Sequence, residues 1–568
     1  MFASIVIRLF ICQREPAKVT SPFRSSNTSR EVLKSKLMFI LCNPTLLSVS
    51  FDRKYSDGGK RSIFLVNTVC LAKQQAETLQ EMTSFNTALL CGELNVDYWS
   101  TQQWSDMLDN NEILVSTAQV ILDAVKHGFL QLKQVNVIVF DECHHGTKDH
   151  PYHELMKMFK DVSIEGTRII GLSGMLIGND NKIKPHSVSD ALKRLEGTFQ
   201  STVVTVNNLD DYKNVLMCST NASEGLVSYN KEPSNISAQS INQILKVMEE
   251  KLVTITFDNY VTIHARSLRP TGPKKVKDLV AFFKDFGFQT IELGPYGGYL
   301  SLLSTLIQLE LIKRTSDSEK FRNLVRACIT TTECCIDLMH QNFGFQKADG
   351  DKILAHSSHK VQQLFTLLRT IFAKPDREKD LQCLIFVERR STAKGLYHAL
   401  KAYAKQDSTF PIIPDFMVGI NAGLPESIEA VLSTSFHSLT LEKFRNKEIN
   451  CIVSTNVLEE GIDLQMCNLV VAFDAPKTYR SYVQARGRAR VDKSDYVVLQ
   501  DNEDKNKFQN KVITWRNVDT TLKDILVMKT IDREPPSKED IEREQMNCWE
   551  PLITPISKSV LNNLNSVR

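Results

Sequence analysis

The sequence has no C-x-x-C pair, although it carries 13 cysteines. They are odd in number and scattered along the chain, and Cys334 and Cys335 are adjacent. Reduced intracellular protein uses cysteine in this way, which excludes a disulfide scaffold and a zinc ribbon. Long apolar runs are also lacking: none reaches the ~18 residues of a membrane span. The best, Ser4–Cys12 and Leu37–Phe51, are interrupted by Arg8 and by Asn43 and Pro44. Acids are scarce at the start, where Glu15 and Glu31 stand among several Arg and Ser. That loosely resembles a transit peptide, but no cleavage site stands out, so a soluble, cytoplasmic protein with no membrane partner is expected. Charge of one sign is missing too. Lys plus Arg is 69 against 66 for Asp plus Glu, a net +3, so nucleic-acid binding would need a local basic surface. Gly (23) and Pro (18) are too few for a collagenous or low-complexity chain. What remains is ordinary globular composition, 42% hydrophobic and 24% charged, over 568 residues, enough for roughly three or four domains.

Short β-branched runs alternate with helical text in two places. The first set is Ile63–Val66, Ile113–Val115, Val135–Phe140 and Ile169–Leu172. The second is Cys383–Val387, Cys451–Ser454, Leu469–Phe473 and Tyr496–Leu499. Runs of that length are what buried parallel strands require, so two α/β blocks with parallel sheets are expected. Between them the text favours helix, with apolar Ile244, Val247, Met248 and Leu252 at three- and four-residue spacing. Residues 503–545 read as charged helix, broken at Pro535-Pro536 and restarting at Ser537 with Asp540 three further on.

VNVIVFDECHHG, residues 135–146, is the strongest local signal. A buried strand delivers Asp141 and Glu142 at its carboxyl edge, where open α/β sheets bind ligands. Adjacent acids there suit a magnesium–nucleotide site: Asp141 would hold Mg2+ through water, and Glu142 would orient and deprotonate the attacking water. His144, His145, His150 and His153 cluster nearby. Their spacing is not that of a zinc site, and no zinc is expected. His144 is instead read as coupling the nucleotide site to the second block. The second signal is SYVQARGRARV, residues 481–491, where Arg486, Arg488 and Arg490 alternate. Arginine forks clamp phosphates and stabilise charge in phosphoryl transfer. STNVLEEGIDL, residues 454–464, lies one strand–helix unit upstream.

DECH, STNVLEEGID and QARGRAR in this order resemble the motifs of superfamily 2 helicases, and more narrowly the helicase arm of Dicer and the RIG-I-like group, most like the insect antiviral Dicer type. IFLVNTVCLAKQQA (63–76), VSTAQVILDAV (115–125), GLSGMLIG (171–178), CLIFVERRSTAKGL (383–396) and FMVGINAG (416–423) tighten the likeness. The resemblance implies a double-stranded-RNA-dependent ATPase in RNA interference and antiviral defence, with ATP and Mg2+ as cofactors and a duplex-RNA-binding helper protein as partner. It implies two RecA-like domains with a helical insertion and a helical pincer. The expected division is an atypical segment 1–55, a first RecA-like domain 56–205, the insertion 206–348, a second RecA-like domain 349–502, the pincer 503–545 and a tail 546–568. Thr68, Gln75, Thr117 and Thr455 should meet RNA. Ser173, in SGM where many helicases have SAT or TAS, should link hydrolysis to RNA. Glu460, Gly461 and Asp463 should border the nucleotide, and Gln484, Arg488 and Arg490 should reach its phosphates.

One part of that pattern is missing. A Walker A loop, GxxxxGK[ST], is absent upstream of residue 63. The nearest text, DGGKRS at Asp57–Ser62, has Arg61 where Ser or Thr would hold magnesium, and it runs into a strand where a phosphate loop opens a helix. It reads as a surface turn. Three alternatives follow: a truncated piece of an ATP-driven Dicer, an RNA-binding form that does not hydrolyse ATP, or a sensor helicase of the RIG-I-like kind. No RNase III signature is found, so this chain is not expected to cut RNA.

Overall fold

The computed structural model describes residues 8–11, 53–147, 149–161, 167–173, 176, 185–204, 222–231, 246, 250, 272–315, 319–345, 350–373, 381–418, 439–455, 467–489, 494–529 and 539. The first α/β unit holds strands β1 (Arg8–Ile11), β2 (Arg61–Val66), β3 (Thr87–Leu90), β4 (Ile113–Thr117), β5 (Val135–Asp141), β6 (Arg168–Ser173) and β7 (Thr202–Val204). Its helices are α1 (Val69–Met82), α2 (Thr101–Asn110), α3 (Ala118–Lys126), α4 (Pro151–Asp161) and α5 (Val188–Phe199). The sheet order is β3-β4-β2-β5-β6-β1-β7, and the run from β3 to β6 is parallel. Every residue of β2, and β5 up to Phe140, is buried, because helices cover both sheet faces. The expected first-block strands are all present.

The apolar run near the N-terminus is used inside the sheet. β1 runs antiparallel between β6 and β7, with Arg8 opposite Ser173 and Ile11 opposite Ile170. Its carboxyl end therefore points away from the edge where β5 ends. Among the described residues no helix is long and apolar enough to cross a membrane.

The second unit has the order β10-β11-β9-β12-β13-β8. Its strands are β8 (Ser223–Tyr229), β9 (Cys383–Phe386), β10 (Pro414–Met417), β11 (Cys451–Ser454), β12 (Leu469–Ala472) and β13 (Asp495–Asp501), all paired in parallel. Two parallel-sheet α/β domains are thus present, as the strand runs imply. One difference stands out. Residues 223–229, inside the stretch 206–348 expected to be a helical insertion, form edge strand β8 on β13. SEGLVSY lacks a continuous apolar run: its first residues are exposed and only Tyr229 is buried, so periodicity gave no signal.

Helices α6 (Gly272–Leu293), α7 (Pro295–Thr315) and α8 (Glu319–Phe343) pack in sequence, α6 on α7 and α7 on α8. They are followed by α9 (Gly350–Ala355), α10 (His359–Phe372) and α11 (Arg390–Gln406). α6 and α7 both lie against α11, so the helical middle is docked on the second sheet's own helix. Asp285 and Gln289 of α6 bind Ser391 and Thr392 there. After α12 (Tyr479–Arg486) and β13, α13 (Lys505–Lys529) packs on both β13 and α5, bridging the two α/β units.

Candidate functional site

β5 ends in Asp141 and the backbone turns sharply at Glu142, whose φ of +48° and ψ of 50° are left-handed. A non-glycine residue there costs on the order of 1 kcal/mol or more, and such strain gathers at functional sites. The turn is fixed on three sides. The Glu142 amide donates to Asp141 Oδ1 (3.1 Å), and the Tyr152 hydroxyl of α4 donates to the Asp141 carbonyl (2.9 Å). Gly146 passes so close to Phe199 that a Cβ would lie 2.5 Å from its ring.

His144 is buried beneath the turn. Its Nδ1 lies 2.8 Å from Ser173 Oγ and 3.2 Å from Glu142 Oε2, and Ser173 Oγ lies 3.5 Å from the same carboxylate oxygen. An ionised carboxylate only accepts, so Nδ1 carries the proton and donates, while Ser173 relays to Glu142. Burial pushes the His144 pKa down, against the opposing pull of Glu142, which keeps the ring neutral. Cys143 is fully buried and its thiol is pushed well up, mainly by burial, so it is no nucleophile.

The second α/β unit reaches this turn through α12. Thr478 opens that helix with a capping box to Ser481. Two residues on, Arg480 donates to His145 Nε2 at 2.5 Å. His144 itself contacts Ser173 and Glu142, and its half-buried neighbour His145 is the residue that meets the second unit. Burial, then the Arg480 charge, lowers the His145 pKa to about 4, so the imidazole stays neutral and accepts. His150 is lowered to about 4 as well, by burial and then by His145.

Further along α12, Gln484 is half-buried and Arg488, just past the helix end, is buried. Arg486 has another employment. It donates to Glu224 of β8 (2.9 Å), which also accepts from the Tyr482 hydroxyl (2.8 Å) and from Arg516 of α13 (2.7 Å). Burial raises the Glu224 pKa, but Arg486 and Arg516 outweigh it and hold the carboxylate ionised. Neither Arg480 nor Glu224 carried a sequence signal, because each acts through a partner hundreds of residues away.

The residues expected to meet RNA are placed differently from one another. Thr68 and Thr117 are the N-cap residues of α1 and α3, at the same sheet edge as Asp141, where helix N-termini suit backbone phosphates. Gln75 is 3% exposed, on the inner side of α1, and Thr455 is buried at the end of β11. Glu460, Gly461, Asp463 and Arg490 lie outside the described residues. The turn at Tyr55–Gly58 feeds directly into β2, and Arg61 is buried with its guanidinium on the Leu108 and Lys60 carbonyls. Among the described residues no group of three or more His, Cys, Asp or Glu could hold a metal. Asp141, at the end of β5, carries carboxylate oxygens of the hard kind that Mg2+ takes as ligands.

Two family models match the chain. The helicase conserved C-terminal domain covers residues 359–491, and the type III restriction enzyme res subunit covers 45–177. Similar proteins include Endoribonuclease Dicer homolog 2a of Oryza sativa subsp. japonica, 29% identical over 80% of this chain and 32% of that protein. Endoribonuclease dcr-1 of Caenorhabditis elegans is 27% identical over 79% of the chain and 24% of itself. Endoribonuclease Dicer of Danio rerio is 27% identical over 82% and 27%. The chain spans about a quarter to a third of the length of these relatives.

Proposed function

We propose that this chain is a Dicer-like helicase region that grips double-stranded RNA and couples that grip to ATP within RNA interference and antiviral defence. One observation carries the coupling. The Asp141–Glu142 turn of the first unit and the arginine helix α12 of the second are already joined through His145 and Arg480. Glu142, in contact with His144 and Ser173, would act as the general base for water. Gln484, Arg488 and Arg490 would face the phosphates from across the cleft, and Thr68 and Thr117 would bind the RNA backbone at two helix N-termini. Asp141 would hold Mg2+ through water; bound with the nucleotide, the ion neutralises phosphate charge. A cytoplasmic setting and a duplex-RNA-binding helper protein complete the proposal.

A second reading has its own support. None of the strand-to-helix turns at the Asp141 edge is glycine-rich among the described residues, and β1 runs the wrong way to feed one. A chain without a phosphate cradle would bind RNA and leave ATP alone. Filter binding of duplex RNA with and without ATP separates the two. Under the coupled reading ATP shifts the RNA affinity and Glu142→Gln alters that shift. If ATP neither turns over nor changes the affinity, the coupled reading fails for this chain and the RNA-binding one stands.

A further inference from the structure

Arginine stands three residues before a serine or threonine at two places in the chain, Arg53 before Ser56 and Arg389 before Thr392. Basophilic protein kinases select that spacing, because acids in their substrate cleft take the arginine while the hydroxyl faces ATP. The fold separates the two places. Thr392 is 1% exposed within α11, and its hydroxyl donates to Gln289. Ser56 is exposed, on the turn that leads into β2, and Arg53 and Lys54 before it are exposed as well. Arg53 serves that turn through its carbonyl, which accepts from the Arg61 guanidinium (3.3 Å).

Ser56 is also where the turn is fastened. Its amide donates to Asp109 Oδ1 (2.8 Å) and its hydroxyl to Oδ2 (2.9 Å). Asp109 lies in the last turn of α2, so the two bonds clasp the turn to that helix's negative end. The turn itself has no slack. The Gly59 amide donates to the Lys54 carbonyl (2.9 Å), and a Cβ on Gly59 would lie 2.2 Å from the Arg53 carbonyl oxygen. Tyr55 beside Ser56 is buried, with its hydroxyl accepting from the Gln131 amide and its carbonyl from Gln134. Both Ser56 bonds lie at the surface, where water replaces them at little cost, so the clasp is the part that opens first. A phosphate on Ser56 could not remake it. The proton that Asp109 accepts would be gone, and about two negative charges would face a carboxylate and a helix C-terminus, both of which repel them.

We propose that Ser56 is a phosphorylation site for a basophilic serine/threonine kinase, and that the phosphate unfastens the turn from α2. The Ser56 oxygen attacks the γ-phosphorus of the kinase's MgATP. The bond from that phosphorus to the bridging oxygen breaks, ADP leaves, and the hydroxyl proton passes to the kinase's base. A kinase takes its substrate extended, so the opened turn is the form it modifies, and opening and phosphate favour one another. The site draws on neither ATP nor RNA bound to this chain, since the turn enters β2 at the sheet edge opposite Asp141.

The test incubates the full chain with the catalytic subunit of cyclic-AMP-dependent protein kinase and MgATP, and maps phosphopeptides by mass spectrometry. Phosphate is expected on Ser56 and not on Thr392. Arg53→Ala keeps the carbonyl that Arg61 uses and should lower incorporation at Ser56 about tenfold or more. Asp109→Asn weakens the clasp and should raise the initial rate of incorporation. Amide exchange across residues 53–61 should be about tenfold faster in the phosphorylated chain than in the untreated one. No phosphate on Ser56 overturns the proposal, and so does equal incorporation in Arg53→Ala. An unchanged or slower rate in Asp109→Asn, or unchanged exchange after phosphorylation, overturns the unfastening.

Discussion

His145 accepts a hydrogen bond from Arg480, a residue 335 positions later, and this bond ties the Asp141–Glu142 turn of one α/β unit to the arginine helix of the other. A charged guanidinium selects the neutral imidazole, and burial enforces the same choice. The contact places the two halves of the proposed ATP site side by side before any ligand arrives.

That pairing sets a pH dependence. In the folded chain His145 and His150 titrate near about 4, below the usual 6.5, while the unfolded chain protonates them near 6.5. The unfolded state thus binds more protons between these values. Stability from both groups is fully present above about 6.5 and is lost as pH falls toward about 4. Thermal melting across that range should show Tm dropping with acid, and His145→Asn should flatten the slope. A parent Tm constant from pH 7 to pH 4.5 would contradict the buried neutral pair.

Glu224 should matter more than its edge-strand position suggests. Glu224→Gln removes the carboxylate paired with buried Arg486 and leaves Asp519 as the remaining charge acting on it. Because the carboxylate is partly exposed, the loss is discounted to roughly 1–3 kcal/mol. Arg516→Ala, which removes an exposed partner, should cost only about 0.5 kcal/mol. Urea denaturation of the two variants gives both numbers, and equal losses would contradict the network.

Lys360 joins the helical middle to the second sheet. It is 5% exposed and contacts Glu292 of α6 and Asp474 after β12, with Phe473 beneath it at 4.1 Å. Its pKa is raised, because Asp474 and Glu292 overcome the cost of burial. Lys360→Met keeps the packing and strands two carboxylates, so a loss of about 3 kcal/mol is expected. Limited proteolysis should then release the α6–α8 segment sooner than in the parent. Unchanged proteolysis would mean that Asp285 and Gln289 hold the helices alone.

Eight of the parallel strands, β2, β4, β5, β6, β9, β11, β12 and β13, were legible because each carries a short apolar run, and Asp141 and Glu142 because they end one such run and are followed at once by Cys143 and His144. Other features were not. β8 is half exposed and has no periodic signature, and β1 is a run that also looks like a failed membrane segment. The employment of Arg486 on Glu224 and the bond from Arg480 to His145 join distant positions, and neighbouring residues hold no trace of either. Thr68 and Thr117 stand at the N-caps of α1 and α3, at the carboxyl ends of β2 and β4. Gln75, on the same helix as Thr68, faces inward because helical spacing puts it with Leu71, Ala72 and Leu79 on the buried stripe.

The sharpest prediction concerns Arg61. Arg61→Thr turns DGGKRS into DGGKTS and so supplies the Gly-Lys-Thr of a phosphate loop on paper. The structure says it supplies nothing. Lys60 and Arg61 enter β2 at the sheet edge opposite Asp141, and a strand, not a helix, follows them. No helix N-terminus is therefore available to cradle phosphate. The replaced side chain also has work to do. Its guanidinium donates to the carbonyls of Leu108 (2.6 Å) and Lys60 (2.9 Å), and its Tyr55 contact closes the turn. Removing it leaves buried carbonyls unsatisfied, a loss of roughly 2–3 kcal/mol. Calorimetric titration with ATP should show no gain in binding, while urea denaturation shows the destabilisation. Tighter ATP binding by Arg61→Thr would mean that the turn is a phosphate loop after all, and that the edge of the sheet assigned to the nucleotide is wrong.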